Sequence, residues 1–172
     1  MSVRVQREDF EVDAEVTRLL GARNDIGAVV TFCGIMRGEN EGRAVRRMRL
    51  EHYPGMTERE LERVEREAAG RWPLQASLIV HRIGDFTPGD RLVLVVTAAA
   101  HREAAFAAAG FLMDYLKTKA PFWKKESGPD GERWVEARDS DESAARRWKQ
   151  APESNLTPES NLTPESNLAR ER

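Results

Sequence analysis

The 172-residue chain has a single cysteine, Cys33, only three histidines (His52, His81 and His101), and few aromatic residues, 7%. One cysteine excludes an internal disulfide and any cysteine-built metal cluster within one chain, and the histidines show no metal-ligand spacing. Neither a metal nor a cofactor is expected. There is no glycine-rich phosphate loop and no nucleophile elbow. Long apolar runs are missing too. The longest, such as LVLVVTAAA, fall far short of a membrane span, and MSVRVQREDF has charges where a signal peptide needs its apolar stretch. A cytoplasmic protein is expected. Nor does one sign of charge prevail: the formal net charge is −2, and the last 22 residues hold four glutamates against two arginines. Taking these from the 27 basic and 29 acidic residues leaves 25 of each in the first 150. A neutral body argues against coating nucleic acid or anionic membrane, so any anion site must be local.

Residues 152–169 read PESNLT, PESNLT, PESNLA. A repeat this short, with one leucine per unit, cannot build a core and predicts a disordered tail, 151–172, behind one domain, 1–150. Within that domain VRVQ predicts a strand and the stretch from Asp13 a short helix stopped by Gly21. The β-branched, apolar segment 27–36 predicts a buried strand. The pattern of Val45, Met48, Leu50 and His52 predicts a half-buried partner, the two forming a hairpin across the polar loop RGENEGR. Thr57 and Glu60 form a capping-box pattern ahead of a helix with Leu61, Val64 and Ala68 at helical spacing, ending just before Pro73. Two strands follow, ASLIVHRIG and RLVLVVTAAA, around a Pro88-Gly89-Asp90 turn. From Arg102 to about Lys119 an alanine-rich segment, apolar nearly all round, predicts a helix buried by the rest of the fold or by another subunit, and Pro121 stops it. FWKKE and RWVEA close the domain as short strands. The sum is an α+β domain with a mostly antiparallel sheet and packed helices.

Cys33, in an apolar strand with no neighbouring histidine, reads as a small buried hydrophobe, so a nucleophile would have to come from outside. What remains is a set of cations beside apolar elements. Arg37 ends the strand 27–36, where a side chain can lean over a sheet edge into a cleft. His101 and Arg102 start the alanine-rich helix, where free backbone N–H groups favour an anion. Lys117 shares a helix face with Phe106, Gly110 and Met113, either snorkelling or partly desolvated in a pocket. Lys124 and Lys125 alternate on a short strand, so they face opposite sides. Lysines merely flanking a hydrophobic helix end would give the same pattern. The alternative is an enclosed site for a small anion or a carboxylate.

The segments GAVVTFCGIMRG, LEHYPGMTERELERV, RWPL, VHRIGDFTPGD, AHREAAFAAAGFLMDYLKTKAPFWKKE and RWVEARDSD together resemble the catalytic (large) subunit of molybdopterin synthase, from about residue 25 to 148. The resemblance implies a hammerhead-like α/β arrangement. It also implies a sulfur transferase that converts cyclic pyranopterin monophosphate to molybdopterin. The two dithiolene sulfurs arrive as a thiocarboxylate on the C-terminal Gly-Gly of a small ubiquitin-like carrier. A chain that ends ARER and has no ubiquitin-like segment is then the acceptor, in a heterotetramer with a central homodimer. Position by position, the family's substrate-binding residues fall on Ile35, Met36, Arg37, His101, Arg102, Lys117, Lys124, Lys125 and Glu126. Lys117 and Lys124 match the two catalytically important lysines, while Lys119 and Lys125 read as peripheral. Ile35 stands where some members carry a lysine, so its contact would be by shape or backbone.

His101 and Lys117 sit at opposite ends of one helix, roughly 24 Å apart at 1.5 Å per residue, a span longer than one tricyclic substrate. If both touch one ligand they belong to different subunits, which predicts a site straddling a dimer interface. Two rival readings remain: a non-catalytic module binding a phosphorylated small molecule or RNA, and a structural partner whose lysines are incidental.

Overall fold

The computed structural model of the chain describes residues 2–118, 120–135 and Trp148; the tail expectation and Lys119 fall outside them. In chain order the elements are β1 (Ser2–Gln6), α1 (Val12–Leu20), β2 (Ala28–Ile35), β3 (Glu39–Asn40), β4 (Arg43–Ala44), β5 (Arg47–His52) and α2 (Met56–Arg71). Then come β6 (Leu74–Arg82), β7 (Gly84–Phe86), β8 (Arg91–Ala99), α3 (Arg102–Thr118), β9 (Phe122–Gly128) and β10 (Gly131–Val135). One sheet runs β1-β6-β8-β2, a second β10-β9-β5-β7, and β3-β4 form a small hairpin. Among the described residues only the β1–β6 pair is parallel, so the α+β, mostly antiparallel architecture is as the sequence predicts. No helix among the described residues is long and apolar enough to cross a membrane.

Period-2 alternation sends the residues of the first sheet to two cores. Ile79, Val93 and Val95 face α2 and α3, where Leu61, Val64, Ala68, Phe111 and Leu112 close the larger core. Leu78, Val80, Leu94 and Val96 face the other way, onto Phe10 and α1. Met36, Val45, Met48, Leu50 and Phe86 form a third cluster under the second sheet. Phe111 is fully buried and meets Trp72 edge-on, ring centroids 5.3 Å apart, with the Arg71 guanidinium 4.8 Å from its own centroid. Phe111→Ala is expected to lower unfolding free energy by about 3–5 kcal/mol, transfer plus cavity, as measured by urea denaturation.

Three sequence expectations are corrected. The segment 27–36 is a strand but not a buried one: among the described residues β2 pairs only with β8, and Val29, Phe32 and Ile35 are 38%, 38% and 54% exposed. Its β-branched run marks an edge with apolar side chains uncovered in a single chain. Nor does β5 pair with β2. It lies between β7 and β9 in the second sheet, since Met48 and Leu50 have their own cluster to fill. At α2 the cap sits two residues earlier than Thr57 and Glu60 and is one-sided, since the N-cap Gly55 has no side chain to accept a bond. Glu58 Oε2 accepts from the Gly55 N–H at 2.6 Å, while Thr57 Oγ1 accepts from the Tyr53 N–H at 3.2 Å. Gly55 has φ +78°, a conformation that glycine adopts without steric cost.

Candidate active site

Where the two sheets meet, at the C-terminal end of α3, lies a cavity of about 550 Å³, within the range of small-molecule sites. Its lining combines apolar walls from Met48, Leu50, Leu92, Val93, Leu116, Phe122 and Val135 with Arg37, Lys117 and Lys124 and the carboxylates Glu39 and Glu126. The irregularity between Gly34 and Ile35 in β2 turns residues 35–37 toward it. A Cβ at Gly34 would stand 2.6 Å from Val93 Cγ1, so glycine is what lets the two strands approach at this bend. Met36 is then tied to the following turn, its N–H donating to Asp90 O at 2.9 Å and its carbonyl accepting from Gly89 N–H at 3.0 Å. Lys117 arrives on the last turn of α3, where a cation also suits the helix dipole.

Glu126 is the organising carboxylate, buried at 5% exposure. Asn40 Nδ2 donates to both its oxygens at 3.0 Å, Lys124 Nζ stands 3.0 Å from Oε1, and Arg133 Nη2 donates to Oε2 at 3.2 Å. Burial by itself would raise the Glu126 pKa; the donors Asn40, Lys124 and Arg133 outweigh it and hold the carboxyl below its ordinary value. Glu126 is therefore ionised and saturated with donors, which suits a holder of Lys124 and not a base. Glu126→Ala is expected to cost about 2 kcal/mol by urea denaturation, because the buried Asn40 amide loses its acceptor while Lys124 and Arg133 reach solvent.

Of the residues singled out from sequence, Ile35, Met36, Arg37, Lys117, Lys124 and Glu126 all line this one cavity. Lys125 does not. Strand alternation turns it to the opposite face of β9, where it pairs with Glu132 and lies 5.8 Å from the Trp134 ring centroid. His101 and Arg102 stand exposed at the start of α3, away from the cavity of their own chain. Burial pushes the Cys33 thiol up, as an apolar environment does, so the chain's one sulfhydryl is no ready thiolate. Among the described residues no group of three or more His, Cys, Asp or Glu is placed to hold a metal ion.

Sequence reasoning missed Glu39, Asn40 and His81 in this lining. Asn40 sits in a polar loop that carries no periodic signal. His81 did leave one: it follows Ser77 and Ile79 at inward positions of β6, a polar ring on an otherwise buried strand.

The family model described as MoaE protein matches residues 5–119. The chain belongs to the MoaE family. Its members include the molybdopterin synthase catalytic subunit of Mesorhizobium japonicum, 54% identical over 154 residues, spanning 88% of this chain and 96% of that one. The molybdopterin synthase catalytic subunit of Escherichia coli is 55% identical over 129 residues, 75% of this chain and 86% of its own. Among solved structures, the molybdopterin biosynthesis MoaE protein from Burkholderia ambifaria superposes with TM-score 0.75 at 50% identity, covering 87% of this chain and 99% of that one. As a MoaE-family chain with relatives of this identity, the protein is an enzyme of the molybdopterin synthase class. The family model stops short of Lys124, whereas the alignment with the Mesorhizobium relative spans most of the chain.

Proposed function

We propose that the chain is the sulfur-accepting catalytic subunit that converts cyclic pyranopterin monophosphate to molybdopterin. Both dithiolene sulfurs come from the C-terminal Gly-Gly thiocarboxylate of a small ubiquitin-like carrier. The observation that carries the reading is the cavity itself, with Arg37, Lys117 and Lys124 set in apolar walls and, among the described residues, no activated nucleophile in its lining. A site without its own nucleophile needs one delivered, and a thiocarboxylate sulfur supplies it. Apolar walls suit a flat pterin and a slender glycine tail. The cations suit the cyclic phosphate, the thiocarboxylate and the oxyanions that form as sulfur attacks a carbon centre. A lysine in the same place can give its proton to a departing oxygen. Lys117 and Lys124 take these roles, with Ile35, Met36, Arg37 and Glu126 shaping the site.

The relatives' name, catalytic subunit, supports at least one further subunit in the working enzyme. We take this to be a heterotetramer, two copies of this chain in the centre and a carrier at each end, in the cytoplasm. The uncovered β2 edge, with Phe32 exposed and Phe106 65% exposed on neighbouring α3, is the face that suits the central contact. His101 and Arg102 of one copy then serve the cavity of the other. The test is molybdopterin formation from the cyclic monophosphate and thiocarboxylated carrier with the wild-type chain, which should yield product. A folded chain that binds carrier and substrate but yields none would leave a non-catalytic binding module as the better reading.

A further inference from the structure

His81 is the polar ring that the mechanism above leaves unused. It stands on β6 at the seam of the two sheets, lines the cavity, and stacks on Phe122 of β9 with centroids 3.7 Å apart and planes 16° from parallel. Its Nδ1 lies 2.9 Å from the carbonyl oxygen of Arg82. A carbonyl cannot donate, so Nδ1 carries the hydrogen and Nε2 keeps its lone pair. Burial lowers the His81 pKa to about 4, and the ring is neutral at physiological pH. Nε2 has no protein partner among the described residues, and the one buried side-chain polar atom left without a partner there is Gln75 Oε1. The far edge of the ring therefore opens on the cavity.

We infer that His81 Nε2 is a fixed hydrogen-bond acceptor that reads an N–H donor on the edge of the flat heteroaromatic ligand, and so sets which way round the ligand lies. The inference rests on the proposed function and adds an orienting residue to it. Arg37, Lys117 and Lys124 offer only donors, Glu126 is already taken by Asn40, Lys124 and Arg133, and Glu39, the other carboxylate of the lining, stands exposed on the β3-β4 hairpin. Cations of this kind locate an anionic group but leave the ring system free to turn over. A pterin edge carries ring N–H groups, and a neutral acceptor held by a stack on one side and a backbone carbonyl on the other meets such a donor with little ordering left to do.

The experiment measures binding of cyclic pyranopterin monophosphate, and of analogues N-methylated at each ring N–H in turn, to wild type, His81→Phe and His81→Gln. Turnover with thiocarboxylated carrier and thermal unfolding are followed on the same samples. His81→Phe keeps an aromatic ring against Phe122 and should bind substrate about tenfold more weakly, the worth of one well-made hydrogen bond. The loss should appear in KM more than in kcat. His81→Gln, which retains an acceptor, should recover to within about threefold of wild type. One methylated analogue should lose about tenfold on wild type and nothing further on His81→Phe. If the phenylalanine ring prevents folding, His81→Leu takes its place. Binding by the apolar variant within about twofold of wild type would overturn the inference, as would a glutamine variant no better than phenylalanine, or a wild type indifferent to every methylation. A wild type that neither binds nor converts the cyclic monophosphate would instead overturn the proposed function, and this inference with it.

Discussion

Lys117→Ala is expected to lower molybdopterin formation by about a hundredfold or more while leaving the fold intact. The side chain is exposed on the last turn of α3 and is no part of the apolar core, so its loss should change stability little. Its ammonium is one of three cations that line the cavity among the described residues, and removing a single preorganised donor from a developing oxyanion costs about a hundredfold to a thousandfold in turnover. Lys124 is also in the cavity, 3.0 Å from Glu126, and Arg133 shares that carboxylate. Lys124→Ala removes a partner of this buried carboxylate as well as a cation of the site, so it too should lower turnover. Lys125→Ala, whose side chain points to the opposite face of β9, should cost less than either. The check is single-turnover rates for the three variants beside wild type, with thermal unfolding as the control for folding. A Lys117→Ala rate within threefold of wild type would remove Lys117 from the chemistry.

The divergence of Lys124 and Lys125 was legible because β alternation is a local rule. Two adjacent lysines on a strand must diverge, and Lys124 and Lys125 do. Helix and strand positions were legible for the same reason, since apolar spacing at Leu61, Val64 and Ala68, or along LVLVVTAAA, depends on neighbours a few residues away. Strand partnership was not. Pairing β2 with β5 looked natural because they are consecutive and separated by a polar loop, yet that loop holds its own small hairpin, β3-β4, and β5 goes to the other sheet. Nothing local distinguishes an apolar strand buried inside a chain from one uncovered at an edge, so Phe32 and Ile35 read as core. Asn40 and His81 were hidden for a further reason. Their partners Glu126 and Phe122 lie 86 and 41 residues away, and only the folded chain brings them together.

A His101→Ala chain mixed with a Lys117→Ala chain should recover activity that neither variant shows alone. Both residues come from the family resemblance, but the fold sets them apart: Lys117 lines the cavity at the end of α3, and His101 precedes the helix's first residue. A helix of 17 residues rises roughly 1.5 Å per residue, so about 24 Å separates them along the axis, and no side chain of one α3 spans it. A second copy docked along the β2 edge, where Phe32 and Phe106 await cover, offers the remaining route for a histidine and a lysine to meet on one ligand. In a mixed dimer each chain lacks one residue. One cavity then lacks both, while the other draws Lys117 from the His101→Ala chain and His101 from the Lys117→Ala chain. One intact site per heterodimer gives about half the wild-type rate per dimer, and about a quarter overall when random exchange makes half of the dimers mixed. The measurement is turnover after subunit exchange, with each variant homodimer treated the same way as the baseline. Recovery near a quarter would place the two residues on opposite sides of a shared site. Activity no greater than the average of the two homodimers would mean that each chain works alone, and that His101 acts, if at all, at some place other than the cavity Lys117 lines.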